Sequence, residues 1–191
     1  MKDFSRFLYV FVCVSFCAGC ATGNIHDAAA CGDLETLHAL VKKDPDAIYL
    51  TDKLGKTPLH IAVGAKQRAV MEWLMETAQR RGNEAAHEYI NQPDRTGMTP
   101  LHVAAMLGRK DEAQWLLSHG ANIAAMDNFG DTPLHTAAVF GMGHLVPLLL
   151  EYGADLQAKN AAGKTPFELA RQYRQEKLAA YLAQLVPAPS P

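Results

Sequence analysis

Along the chain, apolar residues recur in short runs stepped by three and four, and the runs themselves repeat. Val70, Trp73 and Leu74 form one run, followed by Ala113, Leu116 and Leu117, then Val146, Leu149 and Leu150, then Leu178 and Leu182. Each set falls on one face of a helix and predicts a buried seam. Glycines punctuate the pattern. Gly55, Gly97, Gly130 and Gly163 fit tight turns, Gly108 and Gly141 end one helix, and Gly120 and Gly153 end the next. The pattern predicts pairs of short helices separated by turns. The first segment differs, with Lys2 and Arg6 followed by an apolar run from Phe7 to Phe16.

A sequence box precedes each pair. "KTPLHIAVGA", "MTPLHVAAML", "DTPLHTAAVF" and the weaker "KTPFELARQY" place threonines at 57, 99, 132 and 165, in steps of 42, 33 and 33 residues. Each threonine can cap a helix, and the proline after it sits where a missing N–H costs nothing. Sixteen residues beyond each threonine stands Trp73, Trp115, Leu148 or Tyr181, a set predicted to align in the core.

Thr-Pro-Leu-His-x-Ala at a period of 33 resembles the ankyrin repeat, a β-turn plus two helices. The resemblance implies an all-α fold with short β-hairpin turns, a solenoid of about five stacked helix-turn-helix units. The units run over 24–54, 55–96 with an insertion, 97–129, 130–162 and 163–186, and 187–191 form a Pro-rich tail. The first unit lacks the box, and the last carries Glu168 for histidine and Arg174 for the helix-ending glycine, as expected of caps. The 42-residue step leaves nine extra residues near "ETAQRRGNEAAHEYINQ", read as an extended second helix and a longer loop. Pro147 falls inside a predicted helix and should bend or shorten its first turn.

Residues 1–19 have the grammar of a secretory signal peptide, too short for a membrane span. Their end, with Cys20, resembles the bacterial lipobox, although Cys17 stands where leucine is usual. That resemblance implies a lipid on Cys20, a short linker over 20–23, and anchoring in a bacterial envelope facing the periplasm. Ala21 after the acceptor favours the outer membrane, and simple cleavage to a soluble periplasmic form is the alternative. Cys31 is read as a small core hydrophobe.

Composition adds constraints. Setting aside Lys2, Arg6 and Asp3, 16 basic and 19 acidic side chains remain from residue 20 onward, which makes no electrostatic case for nucleic acid. His60, His102 and His135 each belong to a box, where the imidazole ties turn to helix start, and one histidine per stacked unit does not converge on a metal or catalytic centre. Neither a phosphate loop nor a nucleophile elbow is present, so no cofactor, metal or small-molecule substrate is expected. The alternative is an enzyme or enzyme subunit with a site in the insertion at 78–92, where Glu84, His87 and Glu88 offer an acid–base set.

A stacked array supplies surface. By the family resemblance, partner contacts come from residues flanking the turn glycine and from the two before the first-helix stop. The candidate positions are Leu54, Lys56, Met98, Met106, Leu107, Phe129, Asp131, Val139, Phe140 and Lys164. The set is apolar at its centre, which points to a patch that binds another protein, with the chain acting as adaptor, scaffold or inhibitor/immunity factor; the alternative is that some of these side chains seal the junction between adjacent repeats. The chain is expected to be monomeric.

Overall fold

The computed structural model describes residues 23–185. Five helices open the units: α1 (Ile25–Cys31), α3 (Pro58–Gly64), α6 (Pro100–Leu107), α8 (Pro133–Phe140) and α10 (Pro166–Gln172). Five close them: α2 (Leu34–Lys43), α4 (Arg68–Gln79), α7 (Lys110–Ser118), α9 (Val146–Glu151) and α11 (Glu176–Leu185). One more, α5 (Asn83–Ile90), lies between α4 and α6. Successive opening helices pack against each other in a row, and each touches its own closing partner, giving two layers with the core between. Among the described residues the regular structure is helical, as the family resemblance implied.

Small side chains set the spacing of the row. Ala62, Ala104, Ala137 and Ala170 occupy the same box position in four units, and all are fully buried. Leu74, Leu116 and Leu149 fill the space beneath, also at 0% exposure. Trp73, Trp115 and Leu148 are buried with them, and Tyr181 at the array's end is half-buried.

The box histidines do more than close a local turn. In each of three units the threonine N–H donates to the histidine Nδ1, at 3.2 Å for His60, 3.1 Å for His102 and 3.2 Å for His135. An Nδ1 that accepts leaves the ring proton on Nε2. That N–H donates to the next unit's hairpin: His60 to Met98 O at 3.0 Å, His102 to Asp131 O at 2.9 Å and His135 to Lys164 O at 3.0 Å. His26, outside any box, reaches Lys56 O in the same way at 3.0 Å. Ties also run backward from the residues just after the first-helix stop. Gln67 Nε2 donates to Ala30 O, Arg109 Nη2 to Gly64 O and Gln175 Nε2 to Val139 O.

The insertion departs from expectation. It folds not as a loop but as α5, set off from α4 by Gly82 at φ 125°. Ala86, Tyr89 and Ile90, spaced three and four apart, are buried, so these residues had an apolar face to hide. Asn91 then pins the helix end, donating to Gly120 O at 3.1 Å and accepting from Asn122 N at 2.7 Å. Pro147 acts as its missing N–H requires: α9 starts one residue before it, has six residues against twelve in α4, and follows a 3₁₀ turn at Gly143–Leu145.

Candidate functional site

Four turns with one chemistry line the edge of the array. The Oδ1 of Asp52 accepts from Leu54 N and Lys56 N, that of Asp94 from Thr96 N and Met98 N, and that of Asp127 from Phe129 N and Asp131 N. Asn160 does the same with Ala162 N and Lys164 N. Such side-chain mimicry of a backbone turn is what Asp and Asn do at chain reversals. Each hairpin after the first is linked to the one before by a backbone bond: Arg95 N to Leu54 O, Asn128 N to Thr96 O and Ala161 N to Phe129 O, all at 3.0 Å. The turn glycine admits this close approach. A Cβ on Gly130, at φ 72°, would lie 2.6 Å from Ala161 N.

Between these tips and the opening helices lies a cleft of about 250 Å³. Val103 and Met106 face it from α6, and Thr136, Val139 and Phe140 from α8, spacings that keep each set on one helix face. Val103, Met106, Thr136 and Val139 are buried and form the base, and Phe140 is half-buried beside them. Met98, Thr96 and Phe129 come from the tips, with Phe129 52% exposed. Lys56, Asp94, Asp127 and Asp131 complete the wall.

Seven of the ten sequence-derived positions therefore meet in one place: Lys56, Met98, Met106, Phe129, Asp131, Val139 and Phe140. Lys56 and Asp131 are buried rather than displayed, and Asp131 Oδ1 accepts from Asn160 Nδ2 at 2.6 Å. Leu54 lies instead in an adjoining groove beside His26 and Ile61. Leu107 is half-buried and packs toward α3, its Cδ1 3.6 Å from where a Cβ on Gly64 would sit. Lys164 is exposed on the last hairpin, away from the cleft. Cys20 lies outside the described residues.

Thr96, which flanks the turn glycine Gly97, also lines the cleft as the sequence implied, and the residues missed in the sequence are Asp94, Val103, Asp127 and Thr136. Two signals would have found them. Val103 and Thr136 are the unspecified position of the Thr-Pro-Leu-His-x-Ala box, and Asp94 and Asp127 stand three residues before a turn glycine.

Burial holds His102 neutral, its pKa lowered to about 4, and His60 likewise to about 4. Among the described residues, the acidic and basic side chains that line the cleft are Asp94, Asp127, Asp131 and Lys56. Glu84, His87 and Glu88 lie exposed on α5, and none of them lines the cleft. Among the described residues no group of three or more His, Cys, Asp or Glu side chains is arranged to hold a metal ion. Nor is any helix among them long and apolar enough to cross a membrane.

No curated protein matches the sequence significantly. A family model described as "Ankyrin repeats (3 copies)" matches residues 25–127 and again 122–188, which together take in most of the 191-residue chain. With the boxes, the two helical layers and the hairpin edge in place, the chain belongs to the ankyrin-repeat family, whose repeats generally serve protein–protein interaction and are typically non-enzymatic.

Proposed function

We propose that this chain is a non-enzymatic binding module of a bacterial envelope, held by a lipid on Cys20 and engaging a partner protein at the cleft between its inner repeats. The carrying observation is Phe129, a large apolar side chain 52% exposed above an apolar base that includes Val103, Met106 and Val139. Exposed aromatic residues beside a buried apolar floor are the usual anchors of interfaces. Adaptor, scaffold and inhibitor all use such a surface, and partner identity distinguishes them.

A photoreactive amino acid at Phe129, introduced in cells, tests the reading. A discrete protein adduct is expected, lost when Phe140→Ala is added, while the same probe at Glu88 gives none. Equal adducts at both positions overturn the cleft as the binding face. For the anchor, fatty-acid labelling should vanish in Cys20→Ser, and undiminished label overturns it.

A further inference from the structure

On the layer of closing helices, a second groove of about 410 Å³ runs between α2 and α4 and shares no lining residue with the cleft. His38 and Lys42 face it from α2, and Trp73, Thr77, Arg80 and Arg81 from α4 and its end, spacings that keep each set on one helix face. Val41 and Pro45 add an apolar side, and among the described residues no acidic side chain lines it. This runs against the chain as a whole, which has 20 acidic and 18 basic side chains.

Two of the cations are uncommitted. Arg81 donates to Asp46 Oδ1 and lies over the Tyr49 ring at 5.1 Å, but Lys42 and Arg80, both exposed, make no ion pair among the described residues. Glu76, four residues before Arg80, does not pair with it. Helix ends alone do not call for these cations, since α7 closes on Ser118 and α9 on Glu151, with no basic residue in either last turn. Beneath them, Trp73 is 8% exposed, and its Nε1 is a buried donor that has no hydrogen-bond partner among the described residues. The equivalent Trp115, one unit on, is covered: Arg68 lies 5.2 Å over its ring and His119 stacks on it at 4.2 Å. At Trp73 the aromatic neighbour is His38, edge-on at 4.9 Å, and among the described residues no cation lies over the ring.

We infer that this groove binds a phosphate-bearing anion, free or as the head group of a phospholipid, with Lys42 and Arg80 on the phosphate oxygens, Trp73 beneath them as a further donor, and the carbon skeleton along Val41 and Pro45. An ammonium and a guanidinium from different helices approach a tetrahedral group from two sides, an arrangement a planar carboxylate fills less well. The volume falls within the roughly 300–1,000 Å³ of small-molecule sites.

NMR titration of the full chain with glycerol phosphate reads the site directly, because the chain has two tryptophans and Trp115→Phe identifies the indole N–H of Trp73. The Trp73 signal should shift saturably and that of Trp115 should stay. Affinity should fall at least about fivefold in Lys42→Gln/Arg80→Gln, and hold in Lys159→Gln/Lys177→Gln, which removes the same charge elsewhere. Flotation separates the two sources, with the Cys20→Ser chain and phosphatidylcholine vesicles that contain phosphatidylglycerol at about one lipid in four or none. Binding of glycerol phosphate alone supports a free ligand, and capture by the phosphatidylglycerol vesicles that is lost in Lys42→Gln/Arg80→Gln supports the head group. No Trp73 shift together with equal flotation on both vesicles overturns the inference. So does equal loss in Lys159→Gln/Lys177→Gln, or acetate binding as tightly as glycerol phosphate, since either makes the groove a general basic surface.

Discussion

In the inner repeats the residue three after the capping threonine is histidine, and in the last it is Glu168. Both bond the threonine N–H, His102 through Nδ1 at 3.1 Å and Glu168 through Oε2 at 2.8 Å. Histidine has a second nitrogen that reaches forward to the next hairpin, and glutamate does not. The glycines divide the same way. A Cβ on Gly97 would meet Asn128 N at 2.5 Å, whereas among the described residues nothing lies within 4 Å of one on Gly163. The helix stop does not divide this way: it is glycine at 108 and 141, but Lys66 at φ 60° in an inner unit and Arg174 at φ 58° in the final one. The comparison separates two demands within one motif: turn chemistry is needed everywhere, and the features that receive a following neighbour are needed only where one follows.

The largest expected effect tests the core side of that contrast. Leu149→Ala, fully buried between neighbours, should cost about 2–5 kcal/mol, and Leu182→Ala, its counterpart in the last unit, less. Urea denaturation of both measures the difference, and equal costs would mean the end unit is held as firmly as the inner ones.

Acidification should come next. Burial lowers His102 from its ordinary 6.5 to about 4, so between those values the unfolded chain binds a proton that the folded chain refuses. Stability is then complete above about pH 7, falls as pH drops from 6.5 toward 4, and levels off below, a loss on the order of 3 kcal/mol from this residue. Glu168 is different, since the Thr165 N–H holds its carboxyl below the usual carboxylate value. Its contribution persists as pH falls through the histidine window. Denaturation at pH 7.5, 5.5 and 4.5 should show the slope, and His102→Gln should remove about half of it, since His60 is lowered to about 4 as well.

Gly130→Ala should cost roughly 1–3 kcal/mol, from positive φ and from collision with the Ala161 backbone, while Gly163→Ala pays only the φ penalty of about 1 kcal/mol. Equal midpoints for the two variants would contradict the close approach of hairpins. The smallest effect belongs to the surface. Phe129→Ala, at 52% exposure, should change stability by less than about 0.5 kcal/mol in thermal unfolding.

The repeat register was legible because cap, proline, histidine and glycine each answer a local requirement at a fixed distance from Thr57, Thr99, Thr132 or Thr165. The cleft was legible in part, since positions beside the turn glycine project toward the same face in every unit. Burial was not: Lys56 and Asp131 read as tip residues but are buried, Asp131 against Asn160 of the following hairpin, and one unit's sequence does not say how closely its neighbour approaches. The second bond of each histidine was hidden for the same reason. His26 gave no signal because it stands 34 residues before His60, off the 33-residue register. In the insertion, the apolar spacing of Ala86, Tyr89 and Ile90 was present but lay outside any box.

The histidine ties bear on how the chain finds this structure. They span 29 residues for His102 and for His135, 30 for His26 and only 38 for His60, which reaches across the whole of α5. An added unit would bring contacts of the same short reach, so the mean separation of touching residues need not grow with length. Loop closure remains inexpensive at every step, and ordering can begin in any inner unit and spread outward in both directions. A longer array of this kind would then fold by more steps of the same sort, not by slower ones.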